Sequence, residues 1–300
     1  MFETLTRVYE HKAAHSAAVL KLRGVEIDTV GSLSVVPVLT SRQSVFGAEI
    51  FGVSWDEPIS TEMVQQLVKL QDKYAVLIFR QTGLDDARHI AFSKQLGDEL
   101  EINPFFYGRE NDRDSTYHQN RSKYSLLLSH GNPVSGGSYT HFADTRQAYS
   151  DLPQHMKAEL EDLIVEHDLW HSRKLASPII YGNPTEREKA LKPPAYHRLV
   201  QIAPDGRKTL FLAAHAKRIV GRSFEDSQKL IWHLIDHCTQ QKYVFSMEWL
   251  SKGDMVWWDN RQSMHRSNPY REGMTARDVR RSTVVDDGPF ARGVDVSQRD

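Results

Sequence analysis

The sequence predicts a mostly β, barrel-type enzyme fold with flanking helices (α+β), and three observations carry this prediction. Short runs with strand-like alternation, separated by turn signals such as GNP and SGG, fill much of the chain after Leu100. Two strand–helix units precede them. The 300 residues are 40% hydrophobic, which suffices for a sizeable core and excludes a disordered chain. We therefore expect one domain over residues 45–300, preceded over residues 1–44 by an N-terminal arm or an early strand pair.

The first elements of this domain are two strands, each followed by a helix. VFGAEIFGVSW alternates as a strand does, and EPISTEMVQQLVKLQDKY has helical apolar spacing, with Ser60 or Thr61 as its N-cap. YAVLIFR is an apolar run short enough for a buried strand. LDDARHIAFSKQLGD then predicts a second helix, capped by Asp85 or Asp86.

The elements after Leu100 are mainly short strands. KYSLLLSH and SYTHFAD are followed by a helix predicted over DLPQHMKAELEDLIVEHD. A segment rich in Pro and charge around residues 167–197 is interpreted as a surface insertion and a candidate lid. HRLVQIA and TLFLAA flank an Asp205–Gly206 turn, which predicts a hairpin. The helix FEDSQKLIWHLIDHCTQQ and the strands YVFSMEWL, DMVWWDN and RRSTVVDD complete the pattern.

Charge and cysteine content narrow the class of protein. The formal net charge of -1 lacks the basic excess of a nucleic-acid binder or a polybasic membrane-surface protein. No apolar run is long enough to span a membrane, and the start lacks a secretory signal, so we expect a cytoplasmic protein. The single cysteine, Cys238, excludes an internal disulfide and is interpreted as a small buried hydrophobe. A small molecule is the expected partner.

Two stretches stand out among the 14 histidines as candidate metal-binding segments. DRDSTYH ends at His118, and WWDNRQSMHRSNPY contains His265. A barrel brings such distant strands together at its mouth, so two ligands on one strand and a histidine on another are a plausible metal set. Arg277 and Arg281 follow, four residues apart and thus on one face of a strand. Their planar guanidinium groups suit carboxylate binding.

Six strings together resemble one known family, from about Val45 to Asp287. They are DSTYHQNRSKYSLL, PVSGGSYTHFADTRQAYSDLP, EDLIVEHD followed by HSR, GRKTLFLAAHA, WWDNRQSMHR and RDVRRSTVVDDG. In order and spacing they resemble the taurine dioxygenase and 2,4-dichlorophenoxyacetate dioxygenase (TauD/TfdA) family, especially its herbicide-degrading branch. The resemblance implies a double-stranded β-helix (jelly roll) core, Fe(II) and 2-oxoglutarate as cofactors, and O2 as cosubstrate.

The resemblance also implies roles for individual residues. The family holds iron with a His-x-Asp pair and a distal histidine, and Asp114 and His265 match the carboxylate and the distal histidine. Thr140 and Arg277 match the residues that bind the 2-oxoglutarate carboxylate. Arg281 matches an arginine that holds an acidic substrate in the relatives.

Two further positions, Asn103 and Phe106, lie where family members place substrate-side residues. His215, His171 and Arg173 are also considered for the pocket, although a core or surface role remains open for each.

The sequence departs from the family at the first metal ligand, where Asp112 replaces histidine. On a strand, Asp112 and Asp114 share a face about 6.6 Å apart, so both can reach one metal together with His265. The added carboxylate reduces the attraction of a dianionic cosubstrate and favours harder ions such as Mn, Mg or Ca over iron. Neither His118, about 13 Å further along an extended strand, nor His141, expected to face away from Thr140, is a comfortable replacement.

Two functions from different classes follow. The leading prediction is an Fe(II)- and 2-oxoglutarate-dependent dioxygenase that hydroxylates, desaturates or cyclises a small anionic substrate, with Asp112, Asp114 and His265 as catalytic metal ligands. The alternative is a family member with a degenerate metal site, acting as a non-redox enzyme or a catalytically silent binding subunit. A homodimer is expected from the resemblance.

Overall fold

The computed structural model describes residues 27–40, 45–101, 116–132, 138–268 and 277–297. The strands of these ranges are β1 (Asp28–Val30), β2 (Leu33–Thr40), β3 (Val45–Phe51), β4 (Val76–Phe79), β5 (Ser122–Gly131), β6 (Tyr139–Asp144), β7 (Ile164–His167), β8 (Ala195–Arg198), β9 (Val200–Ile202), β10 (Lys208–Leu210), β11 (Ala216–Ile219), β12 (Val244–Glu248), β13 (Met255–Asp259), β14 (Ser263–Ser267) and β15 (Asp278–Val285). The helices are α1 (Thr61–Tyr74), α2 (Asp86–Lys94), α3 (Thr145–Ser150), α4 (Gln154–Leu160), α5 (Leu169–Ala176), α6 (Glu186–Leu191) and α7 (Phe224–Cys238), with a short 3₁₀ helix over Gln241–Tyr243.

The strands form one large sheet and three small ones. The large sheet has seven strands in the order β1-β2-β3-β4-β13-β5-β15. Two three-stranded sheets have the orders β12-β6-β14 and β11-β7-β8, and β9 pairs with β10. β3 and β4 pair in parallel because α1 connects them as a crossover, whereas β13 runs antiparallel to both of its neighbours.

The large sheet is buried on both faces, as the alternation along β13 shows. Met255 and Trp257 pack with apolar residues of α1 and α2, and the Trp257 ring meets the Phe92 ring edge-on at 5.8 Å. Val256 and Trp258 face the other way, toward β6 and β12. We call this second layer the barrel cluster: Phe46, Ala75, Val76, Ile78, Phe142, Phe245, Met247, Trp249, Val256 and Trp258.

Two sheets that face each other across an apolar layer, with helices outside, are the arrangement of a jelly roll. The predicted mostly β, helix-flanked fold class is therefore confirmed.

Helix ends and the α7 face also follow the sequence prediction. Ser60 caps α1 by accepting a hydrogen bond from the Met63 amide at 3.2 Å, and Asp85 caps α2 through the Arg88 amide at 2.8 Å. The buried face of α7 ends in Cys238, and burial raises the pKa of this thiol to about 12. The interpretation of Cys238 as a buried hydrophobe is confirmed.

One predicted helix is wrong in its second half. The expected helix over DLPQHMKAELEDLIVEHD ends at Leu160, because the β-branched pair Ile164 and Val165 begins β7 and pairs with β8 and β11 instead. The short helix α3 was not predicted; it starts directly after β6, where Asp144 accepts hydrogen bonds from the Arg146 and Gln147 amides.

The structure also shows where residues 28–40 and the predicted insertion lie. β1 and β2 pair with each other, and β2 pairs with β3, so β1 and β2 are part of the large sheet. Strand pairing thus occurs on both sides of the boundary predicted between residues 44 and 45, and that boundary stays a prediction. The insertion runs from β7 to β8, which pair with each other, and carries α5 and α6.

Within the described ranges, no helix is long and apolar enough to cross a membrane.

Candidate active site

His265 lies on β14 and faces the barrel cluster. Because β14 runs antiparallel to β6, His265 stands opposite Phe142. Its ring centroid is 4.7 Å from that of Trp258 and 6.4 Å from that of Phe142. The side chain is half-buried, so an imidazole is held against two aromatic rings at the edge of the apolar layer.

Thr140 and Arg277 meet at a second indole of the same cluster. Thr140 lies two residues from Phe142 on β6, on the same face of the strand, and is 4% exposed. The Trp249 indole donates its N–H to Thr140 Oγ1 at 3.0 Å, and the Arg277 guanidinium lies 5.7 Å from the centroid of the same indole. A hydroxyl and a cation are therefore grouped around one tryptophan.

Arg281 occupies a matching position on the other indole. Its guanidinium carbon lies 4.9 Å from the Trp258 centroid, and Nη2 donates to Ser125 Oγ at 2.5 Å. The neighbouring residues of β15 point the other way, since Arg280 pairs with Asp86 at the start of α2. The predicted alternation along this strand therefore places Arg281 on the barrel side.

Four predicted site residues, Asp112, Asp114, Asn103 and Phe106, lie outside the described residues. The chain that follows them packs near β11, where the His215 Nδ1 is 3.2 Å from Thr116 Oγ1. The Tyr117 and His215 ring centroids are 5.0 Å apart. His215 is thus buried next to the chain that leads out of the predicted ligand segment.

The two histidines considered as replacement ligands have other partners. His118 Nδ1 lies 2.7 Å from Glu101 Oε1, and Lys192 Nζ donates to its Nε2 at 3.0 Å. His141 Nδ1 lies 2.7 Å from Ser246 Oγ, on the opposite face of β6 from Thr140. These contacts are consistent with the prediction that neither histidine replaces the missing imidazole, which stays a prediction because positions 112 and 114 lie outside the described residues.

His171 and Arg173, in the predicted insertion, contact aromatic side chains nearby. The Arg173 guanidinium lies over the rings of Trp170 and Tyr181, at 5.2 and 5.4 Å from their centroids. His171 meets the Phe224 ring edge-on at 6.0 Å, and burial lowers the pKa of this histidine. Whether either residue contacts a substrate stays an open prediction.

Among the residues that the structure describes, no group of three or more His, Cys, Asp or Glu side chains is arranged to hold a metal. The predicted metal set includes two residues beyond those ranges, Asp112 and Asp114, so His265 is its described member.

The sequence interpretation missed four residues that organise this pocket: Trp249, Trp258, Ser125 and Asn260. Trp258 and Asn260 stand inside the quoted string WWDNRQSMHR, and strand alternation along DMVWWDN indicates that Trp258 and Trp257 face opposite sides. Ser125 carries no signal of its own, because its contact with Arg281 depends on the pairing of β5 with β15.

Comparison with known proteins places the chain in a family. The family described as "Taurine catabolism dioxygenase TauD, TfdA family" matches residues 37–283. The alpha-ketoglutarate-dependent 2,4-dichlorophenoxyacetate dioxygenase of Burkholderia sp. (strain RASC) is 31% identical, over 80% of this chain and 92% of that protein. The alpha-ketoglutarate-dependent sulfate ester dioxygenase of Pseudomonas putida is 30% identical, over 83% of this chain and 89% of that protein.

A solved structure agrees with the sequence relatives. AAD-2 in complex with Mn(II) and N-oxalylglycine matches with a TM-score of 0.76 and 32% identity, covering 85% of this chain and 98% of that one.

The fold and the grouping of His265, Thr140, Arg277 and Arg281 around the barrel cluster therefore belong to an enzyme of the 2-oxoglutarate-dependent dioxygenase class. The chain is a member of the TauD/TfdA family. The predicted resemblance is confirmed, and so are Fe(II), 2-oxoglutarate and O2 as the cofactors of its class.

Proposed function

We propose that this enzyme oxidises a small anionic substrate at a metal held by Asp112, Asp114 and His265, with 2-oxoglutarate bound by Thr140 and Arg277. One observation carries the proposal: two arginines lie on two indoles of the same cluster, one beside Thr140 and the other beside the indole that contacts His265. Two cations grouped in this way suit two separate anions, one from the cosubstrate and one from the substrate.

The cosubstrate end is built for a carboxylate. A guanidinium binds a carboxylate through parallel N–H donors, and a threonine hydroxyl adds a further donor. The Trp249 N–H donates to Thr140 Oγ1, which leaves the hydroxyl hydrogen of Thr140 to point toward an acceptor in the pocket. Thr140 is almost fully buried, so this donor acts in a water-poor environment where its electrostatic effect is strong.

The substrate end is Arg281. The two sequence relatives are named for a phenoxyacetate and a sulfate ester, both of which carry an anionic group. A guanidinium at the face of Trp258, next to His265, suits the binding of such a group close to the metal position. Asn103 and Phe106 are proposed to line the substrate side of the same pocket.

The donor set fits a divalent metal, with one imidazole fewer than in the family pattern. His265 offers a half-buried ring nitrogen, and the two aspartates offer carboxylate oxygens, all of which are ligand types that Fe(II) and Mn(II) accept. When bound, the metal and 2-oxoglutarate supply the activation of O2, with 2-oxoglutarate converted to succinate and carbon dioxide. The chain's own residues orient the two anions and keep water from the target C–H bond.

The oxidation of the substrate can be a hydroxylation, a desaturation or a cyclisation. We also propose that the enzyme is cytoplasmic and forms a homodimer.

Asp112 favours a second candidate function. A carboxylate where the family has histidine adds negative charge beside Asp114, and two such carboxylates titrate as a coupled pair that can serve as an acid and a base. The alternative is thus a non-redox enzyme or a silent binding subunit built on the same pocket.

The test is a substrate panel with the metal-loaded wild-type protein. 2,4-Dichlorophenoxyacetate and a medium-chain alkyl sulfate are each supplied with 2-oxoglutarate and either Fe(II) or Mn(II), and succinate and O2 uptake are measured. The uncharged counterparts, the methyl ester and the alcohol, are the matched controls. We expect an anionic compound to raise succinate formation above the substrate-free rate and its neutral counterpart not to. The proposal would be contradicted if succinate formed at the same rate with every compound as it does without any substrate.

A further inference from the structure

We infer that Asn260, acting through Ser125 and Trp258, is the positioning residue that fixes Arg281 and thereby the depth at which the substrate's anion binds. The inference rests on the proposed role of Arg281 and extends it to residues that do not themselves bind substrate.

The orientation of the Asn260 amide is determined by its partners. The Trp258 indole nitrogen can only donate, and it lies 2.8 Å from one end of the amide, which must therefore be the oxygen Oδ1. The other end is then Nδ2, which donates to Ser125 Oγ at 3.0 Å and to Ser122 Oγ at 3.2 Å. All three contacts are buried, and a flipped amide would set its NH2 group against the Trp258 N–H, leaving two buried donors facing each other.

The two groups that contact the Arg281 guanidinium, the Ser125 hydroxyl and the Trp258 ring, are both hydrogen-bonded to the Asn260 amide. The guanidinium donates to Ser125 Oγ, whose position Asn260 fixes from the other side. The same guanidinium lies over the Trp258 ring, whose rotation Asn260 fixes through the indole N–H. One side chain thus holds the hydroxyl and the aromatic face between which the arginine is placed.

Asn260 itself is attached to a rigid turn between β13 and β14. Its backbone N–H donates to the Lys123 carbonyl at 2.8 Å, and the residue is 8% exposed. The next residue, Arg261, forms a partly buried ion pair with Asp259 at 2.8 Å. Because β14 carries His265, the same turn connects the support of the substrate arginine to the strand of the metal histidine.

This connection has a consequence for specificity. The distance from the anion to the metal selects which carbon of the substrate meets the oxidising centre, and a displacement of about 1 Å in such a contact can change rates about 100-fold. Asn260 and Ser125 therefore set substrate geometry without touching the substrate.

The chain offers a matched pair of variants for the test. Ser125 and Ser122 lie on the same strand, both are buried, and both accept from Asn260 Nδ2. Ser125 Oγ also accepts from Arg281 Nη2. Crystal structures of Ser125→Ala and Ser122→Ala are compared with that of the wild type, and KM and kcat are measured with 2,4-dichlorophenoxyacetate. In Ser125→Ala we expect the Arg281 guanidinium to move by about 1 Å. The KM for 2,4-dichlorophenoxyacetate should rise about tenfold, and the KM for 2-oxoglutarate should change little. In Ser122→Ala, Arg281 and both KM values should remain as in the wild type.

Asn260→Ala should displace Arg281 and also rotate Trp258, and the serine pair decides the outcome if this variant does not fold. An unmoved Arg281 in Ser125→Ala, or equal effects of the two serine substitutions, would overturn the inference. Failure of the wild type to turn over any anionic compound would overturn the proposed function instead. The position of Arg281 in the two serine variants would then still decide this inference.

Discussion

The two arginines proposed to bind anions, Arg277 and Arg281, both lie over indole rings. A guanidinium over an aromatic ring is attracted by the ring's quadrupole, and the ring also limits its rotation. The indoles of Trp249 and Trp258 thereby limit the orientations of Arg277 and Arg281, as a preformed anion site requires. Such preorganisation lowers the entropy cost of binding an anion.

Replacing each arginine with lysine should separate the two anion sites. Lysine keeps the charge but loses the planar fork and the stacking on the indole. We expect Arg277→Lys to raise KM for 2-oxoglutarate about 10-fold to 100-fold and to leave the substrate KM nearly unchanged, and Arg281→Lys to do the reverse. Steady-state kinetics with each compound varied in turn checks this, and each variant serves as the other's control. If both variants raised the same KM, the assignment of two separate sites would be wrong.

Asp112 is the residue at which the sequence is predicted to depart from the family's metal-binding motif. An imidazole at this position binds Fe(II) more readily than a second carboxylate does. We expect Asp112→His to raise the affinity for Fe(II) about tenfold, measured by anaerobic calorimetric titration. Asp98→His, at an exposed position, is the control that adds a histidine elsewhere and should change nothing. An unchanged affinity in Asp112→His would show that position 112 is not a metal ligand.

The roles of His265, Thr140, Arg277 and Arg281 stay predictions, but strand alternation within the quoted motifs predicts where their side chains lie. His265, Thr140 and Arg281 lie on the strand faces that alternation implies. Ser125 and Asn260 could not be found in this way. Their contact joins positions 135 residues apart, and it exists only because β5 pairs with β13 in one particular register.

At the level of helices and strands, the local sequence pattern was sufficient to predict an element that has a clear apolar period and, for a helix, a capping residue. Ser60 and Asp85 cap the helices that the spacing predicts. The segment around Ile164 behaved differently, because pairing with β8 and β11 outweighed a pattern that is compatible with a helix. Such tertiary pairing is invisible to a local reading of the chain.

The contact between the large sheet and the sheet of β12, β6 and β14 depends on a glycine in β3. Gly47 has φ +74°, and a Cβ at this position would lie 2.7 Å from Cζ of Phe245 on β12. Gly83 has a similar φ of +68°, but no atom lies within 4 Å of the place of its Cβ. Both glycines therefore need a positive φ, which other residues rarely adopt, but only at Gly47 would a Cβ also collide with a neighbouring side chain.

We expect Gly47→Ala to lower the free energy of unfolding by about 3 kcal/mol and Gly83→Ala by about 1 kcal/mol. The smaller loss reports the backbone strain alone, and the difference reports the displaced Phe245 ring. Urea denaturation of both variants measures these values. Equal losses would show that the two sheets do not pack closely at Gly47.

At the scale of the whole molecule, buried histidines make the fold sensitive to acid. Burial lowers the pKa of His197 from 6.5 to about 4, and the His197 Nε2 lies 2.9 Å from the His118 carbonyl oxygen. Burial likewise lowers the pKa of His89 to about 4. Between these values the unfolded chain binds more protons than the folded one, so stability is lost as the pH falls from about 6.5 toward 4.

We expect this loss to be shallower in His197→Gln, which has no titrating group but keeps an N–H near the position of Nε2. The difference from the wild type should be on the order of 1 kcal/mol per pH unit in this interval. Denaturant unfolding at pH 7 and at pH 5 measures it. His233→Gln, at an exposed position of α7, should follow the wild type. The same slope in all three proteins would contradict a buried neutral His197.

We expect this chain to bind Fe(II) and 2-oxoglutarate together, although an aspartate, Asp112, stands at the predicted position of the first histidine ligand. The most direct measurement is an anaerobic titration of metal-stripped wild-type protein with Fe(II) and 2-oxoglutarate, recording the visible metal-to-ligand charge-transfer band of the chelate. We predict a saturable band that requires both components and that needs more 2-oxoglutarate in Arg277→Lys. The absence of a band in the wild type, together with its appearance in Asp112→His, would contradict the claim and would support the non-redox or silent-subunit alternative.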